Sequence, residues 1–136
     1  MSAVTLLCAD RPLPLYDSGI RRTRTSSHGG YTVSMETSGF SVQEHAYYRE
    51  AVEELGLRMK PCQYELNLQA TAEDAAELRA YLERNLRPGE AVELWSLWVG
   101  DGPTRPRRFG GRLADLDLDT VRQLEERFQT CLTIER

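Results

Sequence analysis

The stretch CQYELNLQATAEDAAELRAYLERNLRPGEAVELWSLWV, residues 62–99, decides the fold class. In its first part, Cys62-Gln63-Tyr64-Glu65-Leu66-Asn67-Leu68-Gln69, the residues Cys62, Tyr64, Leu66 and Leu68 alternate with polar ones. That is the period of a strand with one buried face. Thr71 then supplies a helix cap, and Glu73 and Asp74 fill the first turn, where the macrodipole favours acids. Ala75, Leu78, Leu82 and Leu86 form an apolar stripe at helical spacing, and Pro88-Gly89 ends it. From Val92 to Val99 the chain returns to strand, with Val92, Leu94 and Trp98 on one face and Trp95, Leu97 and Val99 on the other. A strand apolar on both faces requires cover on both, so the face carrying Trp95, Leu97 and Val99 must meet the N-terminal hairpin and first helix, another subunit or a ligand.

The same order of elements recurs downstream. Gly100-Asp101-Gly102-Pro103 reads as a tight turn, and an arginine-rich loop leads to a short strand around Phe109 to Ala114. Asp117 caps a helix whose Leu118, Val121, Leu124 and Phe128 share a face, and Thr130 to Ile134 reads as the closing strand. Residues 62–135 together predict a ferredoxin-like βαββαβ unit of the α+β class. The two halves share a pattern of elements and little residue identity, so the repeat is structural.

Upstream, Val4 to Cys8 reads as a strand closed by the proline-rich Asp10-Arg11-Pro12-Leu13-Pro14. Ile20 to Thr25 and Tyr31 to Thr37 read as a hairpin joined by Ser26-Ser27-His28-Gly29-Gly30, and the polar first arm suits a sheet edge. Ser41 and Glu44 have capping-box spacing, so a helix is expected from there, with Tyr48, Val52 and Leu55 as its apolar stripe and Gly56 just past its end. A strand, a hairpin and a helix therefore precede the βαββαβ unit, packed with it into one domain over residues 1–136.

With 40% hydrophobic and 28% charged residues the composition is that of a globular protein. The net charge of -4 argues against a general affinity for nucleic acid or anionic membrane. Val4 to Ala9 is too short for a secretory signal, and no apolar run approaches the roughly 20 residues of a bilayer helix, so a cytoplasmic protein without membrane contact is expected. Cys8, Cys62 and Cys131 are odd in number and far apart, which fits core thiols in a reducing compartment and no metal or disulfide motif.

Residues that could carry chemistry are few. His28 and His45 lack a partner at a metal-ligand or nucleophile-base spacing, and both read as exposed polar positions. Asp115, Asp117 and Asp119 alternate with leucines but lack the glycine and terminal glutamate of a calcium loop. No cofactor or metal is implied.

Half of the arginines fall in two groups: Arg21, Arg22 and Arg24 with Arg11, then Arg105, Arg107, Arg108 and Arg112. Arg107-Arg108-Phe109-Gly110-Gly111-Arg112 lies where an RNA-recognition sheet carries its basic aromatic motif, yet Gly111, Arg112 and Leu113 replace the alternating aromatics. The favoured reading is a non-catalytic interaction module that binds a protein partner or a second copy through a sheet face, with Trp95, Leu97 and Val99 as candidate contacts. The alternative is nucleic-acid or phosphate binding through Arg105, Arg107, Arg108 and Arg112, joined by residues 21–24.

Overall fold

The two strand-helix-strand stretches are both present in the computed structural model, which describes residues 2–136. The first consists of β6 (Cys62–Asn67), α2 (Ala72–Asn85) and β7 (Ala91–Val99). The second consists of β8 (Arg107–Arg112), a 3-10 turn at Leu113–Asp115, α3 (Leu118–Glu126) and β9 (Thr130–Glu135). Their local signals work as the residues suggest. The Thr71 hydroxyl accepts the Asp74 N–H at 3.2 Å, and the Asp117 carboxylate accepts the Thr120 N–H at 3.0 Å. Ala75, Leu78, Leu82 and Leu86 are all buried, joined by Tyr81, whose hydroxyl donates to the Pro14 carbonyl at 2.6 Å. Phe128 departs from the expected stripe: α3 ends at Glu126, and the Phe128 ring, half exposed, tilts against Trp98 at 5.3 Å between centroids.

Before these stand β1 (Ser2–Ala9), β2 (Tyr16–Asp17), β3 (Arg21–His28), β4 (Tyr31–Ser38), β5 (Ser41–Glu44) and α1 (Arg49–Glu53). Seven strands form one mixed sheet in the order β2-β5-β6-β1-β7-β9-β8, and β3 and β4 form a separate two-stranded ribbon. The α+β class holds. The strands of the 62–135 unit run β6, β7, β9, β8 across the sheet, with β1 inserted antiparallel between β6 and β7. The β6-α2-β7 half is thus a split βαβ as in a ferredoxin-like unit, whereas β8 and β9 are parallel neighbours with nothing between them. The inserted strand explains the difference: Val4, Leu6 and Cys8 are buried on one face and Leu7 and Ala9 on the other, so β1 suits only a central position.

Helices α2 and α3 cover one face of the sheet over Leu7, Leu94, Leu132 and Ile134. The opposite face is covered by α1 and the chain after it, where Val52 and Leu55 with Leu57 and Met59 pack on Val4, Leu6, Cys8, Trp95, Leu97 and Val99. The capping-box reading at Ser41 is corrected here. Ser41 to Glu44 is a strand paired with Asn67 to Tyr64 of β6, because Phe40 and Val42 alternate into the core and the ladder satisfies the Ser41 backbone. The short helix starts at Arg49, yet Val52 and Leu55 do face the sheet, and Gly56 has φ +67° just past its end.

The two central thiols lie in this second layer. Cys8 and Cys131 are fully buried, and burial, reinforced by the Glu93 carboxylate, pushes both thiols up, Cys131 to about 11. Cys62, at the first position of β6, is only half buried. A thiol reagent at neutral pH is therefore expected to label Cys62 alone in the native chain and all three cysteines after denaturation. Fast labelling of Cys8 or Cys131, read by peptide mass, would contradict this packing.

Candidate functional site

The residues singled out in the sequence divide between the layers of the fold. Trp95, Leu97 and Val99 are 0%, 0% and 3% exposed, so the apolar row is not a free sheet face. That expectation is corrected by the segment from Tyr48 to Met59, which supplies the cover from within the same chain. Trp95 also anchors a polar cluster. Its indole N–H donates to Glu93 Oε1 at 3.3 Å, the Lys60 N–H donates to the same oxygen at 2.9 Å, and Arg108 Nη1 lies 3.8 Å from Glu93 Oε2. The Arg108 guanidinium sits 5.0 Å from the Trp95 ring centroid, a cation-π contact that closes the edge of the layer.

The other three arginines of that group are differently placed. Arg105, Arg107 and Arg112 are exposed, and among the described residues none has an acidic partner within ion-pair distance. They lie on or beside β8, the edge strand at one end of the sheet.

In the first arginine group, Arg21, Arg22 and Arg24 lie on the β3–β4 ribbon toward the opposite edge and Arg11 follows the central β1, and the group is largely neutralised. Arg22 donates to Glu73 at 2.8 Å and to the fully buried Asp74 at 3.1 Å, and Arg21 lies 3.4 Å from Asp17. Arg11 holds Glu90 through two contacts of 2.7 Å, which lower that carboxylate to about 2. The two groups therefore do not build one basic surface.

Arg22 fixes a feature whose role the sequence did not disclose. β3 and β4 form an arm closed by Gly29 and Gly30, both with positive φ (54° and 85°), so the connection is a two-residue turn, shorter than the five-residue loop expected. At the arm's root Gly39 donates to the Ile20 carbonyl at 2.8 Å, and a Cβ on Gly39 would stand 2.6 Å from that of Ile20, so only glycine fits. Asn67 further holds the Ser38 carbonyl at 3.1 Å.

Beyond this root the arm stands in solvent. Its register pairs Tyr31 with His28, Val33 with Ser26 and Met35 with Arg24, so these six residues share one face. Tyr31, Val33 and Met35 are 77%, 52% and 60% exposed on it, while the other face carries Thr23, Thr25, Ser27, Thr32, Ser34 and Glu36. The signal for this stripe was the alternation of Tyr31, Val33 and Met35.

Of the histidines, His28 lies exposed beside the arm's turn, as expected. His45 does not: it is 7% exposed, neither ring nitrogen has a hydrogen-bond partner, and Nδ1 lies 3.7 Å from Glu65 Oε2. Burial lowers its affinity for protons below the ordinary 6.5, against the opposing pull of Glu65 and Glu53 and with a small push from Arg49. Because the unfolded chain binds this proton more readily, stability is expected to fall as pH drops below about 6.5 toward the folded value, and His45→Phe should flatten that slope. Melting curves across this interval check it, and an unchanged slope in the variant would contradict it.

Among the described residues no group of three or more His, Cys, Asp or Glu could hold a metal ion. Asp117 is engaged as the α3 cap and Asp119 lies 3.6 Å from Arg122. No helix among the described residues is long and apolar enough to cross a membrane. The chain matches no described protein family, no curated protein and no solved structure.

Proposed function

We propose that this chain is a non-catalytic interaction module that pairs with a second copy of itself through the β3–β4 arm. The observation that carries the reading is the row Tyr31, Val33 and Met35, exposed together on one face of an otherwise polar ribbon. A two-stranded ribbon is marginal in water by itself, and an apolar row on it gains most from a partner that extends the sheet.

The outer edge of β4 suits its own copy. Beside a two-residue turn the pair His28 and Tyr31 is hydrogen-bonded, so Thr32, Ser34 and Glu36 turn their N–H groups outward. Antiparallel pairing of β4 with a second β4 about a twofold axis at Val33 sets valine against valine and each Tyr31 against the other copy's Met35. Those are non-hydrogen-bonded pairs, in which side chains approach most closely. Thr32 and Ser34 then exchange the backbone hydrogen bonds, and no like charges are set opposite.

Phosphate or nucleic-acid binding through both arginine groups has less support, since Arg21 and Arg22 are already paired and the groups lie toward opposite edges. A cytoplasmic location accords with the three free thiols. The test is sedimentation equilibrium over a wide range of protein concentration. The mass should rise from one chain of 15.5 kDa toward two with concentration. A single-chain mass at every concentration would overturn the reading.

A further inference from the structure

We propose that the free edge of β8 is a second binding site, which takes an extended peptide segment of another protein with acidic and apolar residues in alternation. The argument begins with backbone groups. The Arg107 N–H donates to the Gln129 carbonyl at 2.7 Å on the β9 side, so by the alternation of a ladder Arg108, Gly110 and Arg112 present their N–H and C=O groups outward. Six residues of exposed edge are enough for strand addition, the mode in which main-chain bonds give affinity and alternate side chains give specificity. The edge at the other end of the sheet, β2, has only two residues.

Side chains then select the occupant. A second copy is disfavoured in the centred register, because antiparallel pairing of two β8 strands about Gly110 would set Arg108 directly against the other copy's Arg112. A strand with carboxylates on that face meets Arg108 and Arg112 instead, and Arg105 and Arg107 add positive charge at the entry. Glu93 and Glu126 are the acids at the Arg107–Arg108 end, where Arg127 adds a further cation, while Glu83, Asp115 and Glu135 stand beside Arg112, so the cationic excess is greatest around Arg105 to Arg108.

The face of β8 toward α3 asks for something apolar. There a cavity of about 280 Å³ lies beside Phe109 and Gly111, with Leu116, Leu132 and Ile134 as its apolar walls and Arg112, Asp115, Thr120 and Gln123 as polar ones. Gly111 has ordinary negative φ, and a Cβ built on it meets nothing within 4 Å, so the missing side chain leaves room that an incoming residue can fill. Every second residue of an added strand would project to this face, and the residues between would project to the arginine face. Gly110 meets only the Thr133 carbonyl, at 3.5 Å, so no side chain at the centre of the edge obstructs the approach.

The probe is a fluorescein-labelled nonapeptide of alternating glutamate and valine, titrated into the full chain and followed by anisotropy. Saturable binding is expected, with none for the lysine-valine counterpart. Gly110→Pro, which removes the central outward N–H at an edge where proline is tolerated, should weaken binding about tenfold, and Gly110→Ala, which keeps that N–H, should not. Arg112→Glu, at an exposed position, should weaken it about threefold. Melting temperatures of the variants show whether each remains folded. Should Gly110→Pro unfold the chain, amide protection decides instead: the peptide must protect Arg108, Gly110 and Arg112 in the native sequence. Absence of binding by the native chain, binding of the lysine-valine peptide, equal binding by folded Gly110→Pro, or protection elsewhere would each overturn the proposal. An arm variant that no longer pairs should still bind the peptide, so this test stands apart from self-association.

Discussion

Trp95→Ala is expected to destabilise the fold by about 3–5 kcal/mol, the cost of removing a large aromatic from a closed core. The ring has no exposed surface and lies between Leu6 of β1 and Cys131 of β9 in the ladder, under Val52 and Leu55. Three further losses accompany the cavity. Glu93 gives up the indole N–H, Arg108 gives up the ring on which it rests, and the Tyr48 to Met59 segment gives up part of its seat. For a chain of this size that corresponds to a fall in melting temperature of roughly 10–15 °C. Thermal and denaturant unfolding measure it. The same substitution distinguishes a core residue from a contact residue, because a tryptophan that met a partner in a free face would leave the melting temperature of the isolated chain nearly unchanged.

The arm should respond in the opposite way. Val33→Thr together with Met35→Thr keeps strand propensity and removes the apolar row, at positions that touch no core residue. Unfolding free energy should stay within about 0.5 kcal/mol of the parent chain. Self-association should weaken about tenfold or more, because the central Val33 contact and both Tyr31–Met35 contacts are lost together. Sedimentation equilibrium of the variant beside the parent measures it. An unchanged dimer affinity would remove the row from the interface, and a large loss of stability would mean that the arm packs on the body.

The contrast between these substitutions follows from what a sequence can and cannot disclose. The caps at Thr71 and Asp117 and the stripe of Leu78 and Leu82 are local, and the structure uses them as they read. The insertion of β1 between β6 and β7 was not legible, because strand pairing joins residues as distant as Leu6 and Trp95 and no local pattern encodes the partner. Ser41 and Glu44 misled for a related reason. The same four residues suit a helix cap or a strand, and the tertiary burial of Phe40 and Val42 decided between them.

The candidate site shows the same limit. Both faces of β7 were correctly read as needing cover, but the sequence left open whether the first helix, another subunit or a ligand supplied it, and the cover lies some 40 residues upstream in the same chain, at Val52 and Leu55. Arg108 and Arg22 looked alike as surface cations, whereas one rests on a buried ring and the other on a buried carboxylate. The alternation of Tyr31, Val33 and Met35 is plain once the arm is known to leave the sheet, and unremarkable before.

Amide hydrogen exchange, recorded at one protein concentration below the pairing midpoint and one above it, tests the central claim most directly. If β4 pairs with its own copy, the amides of Thr32 and Ser34 exchange quickly in the dilute chain and become protected as concentration rises, while those of the seven-stranded sheet do not change. Exchange at these two amides that is independent of concentration, or concentration-dependent protection confined to another surface, would contradict it.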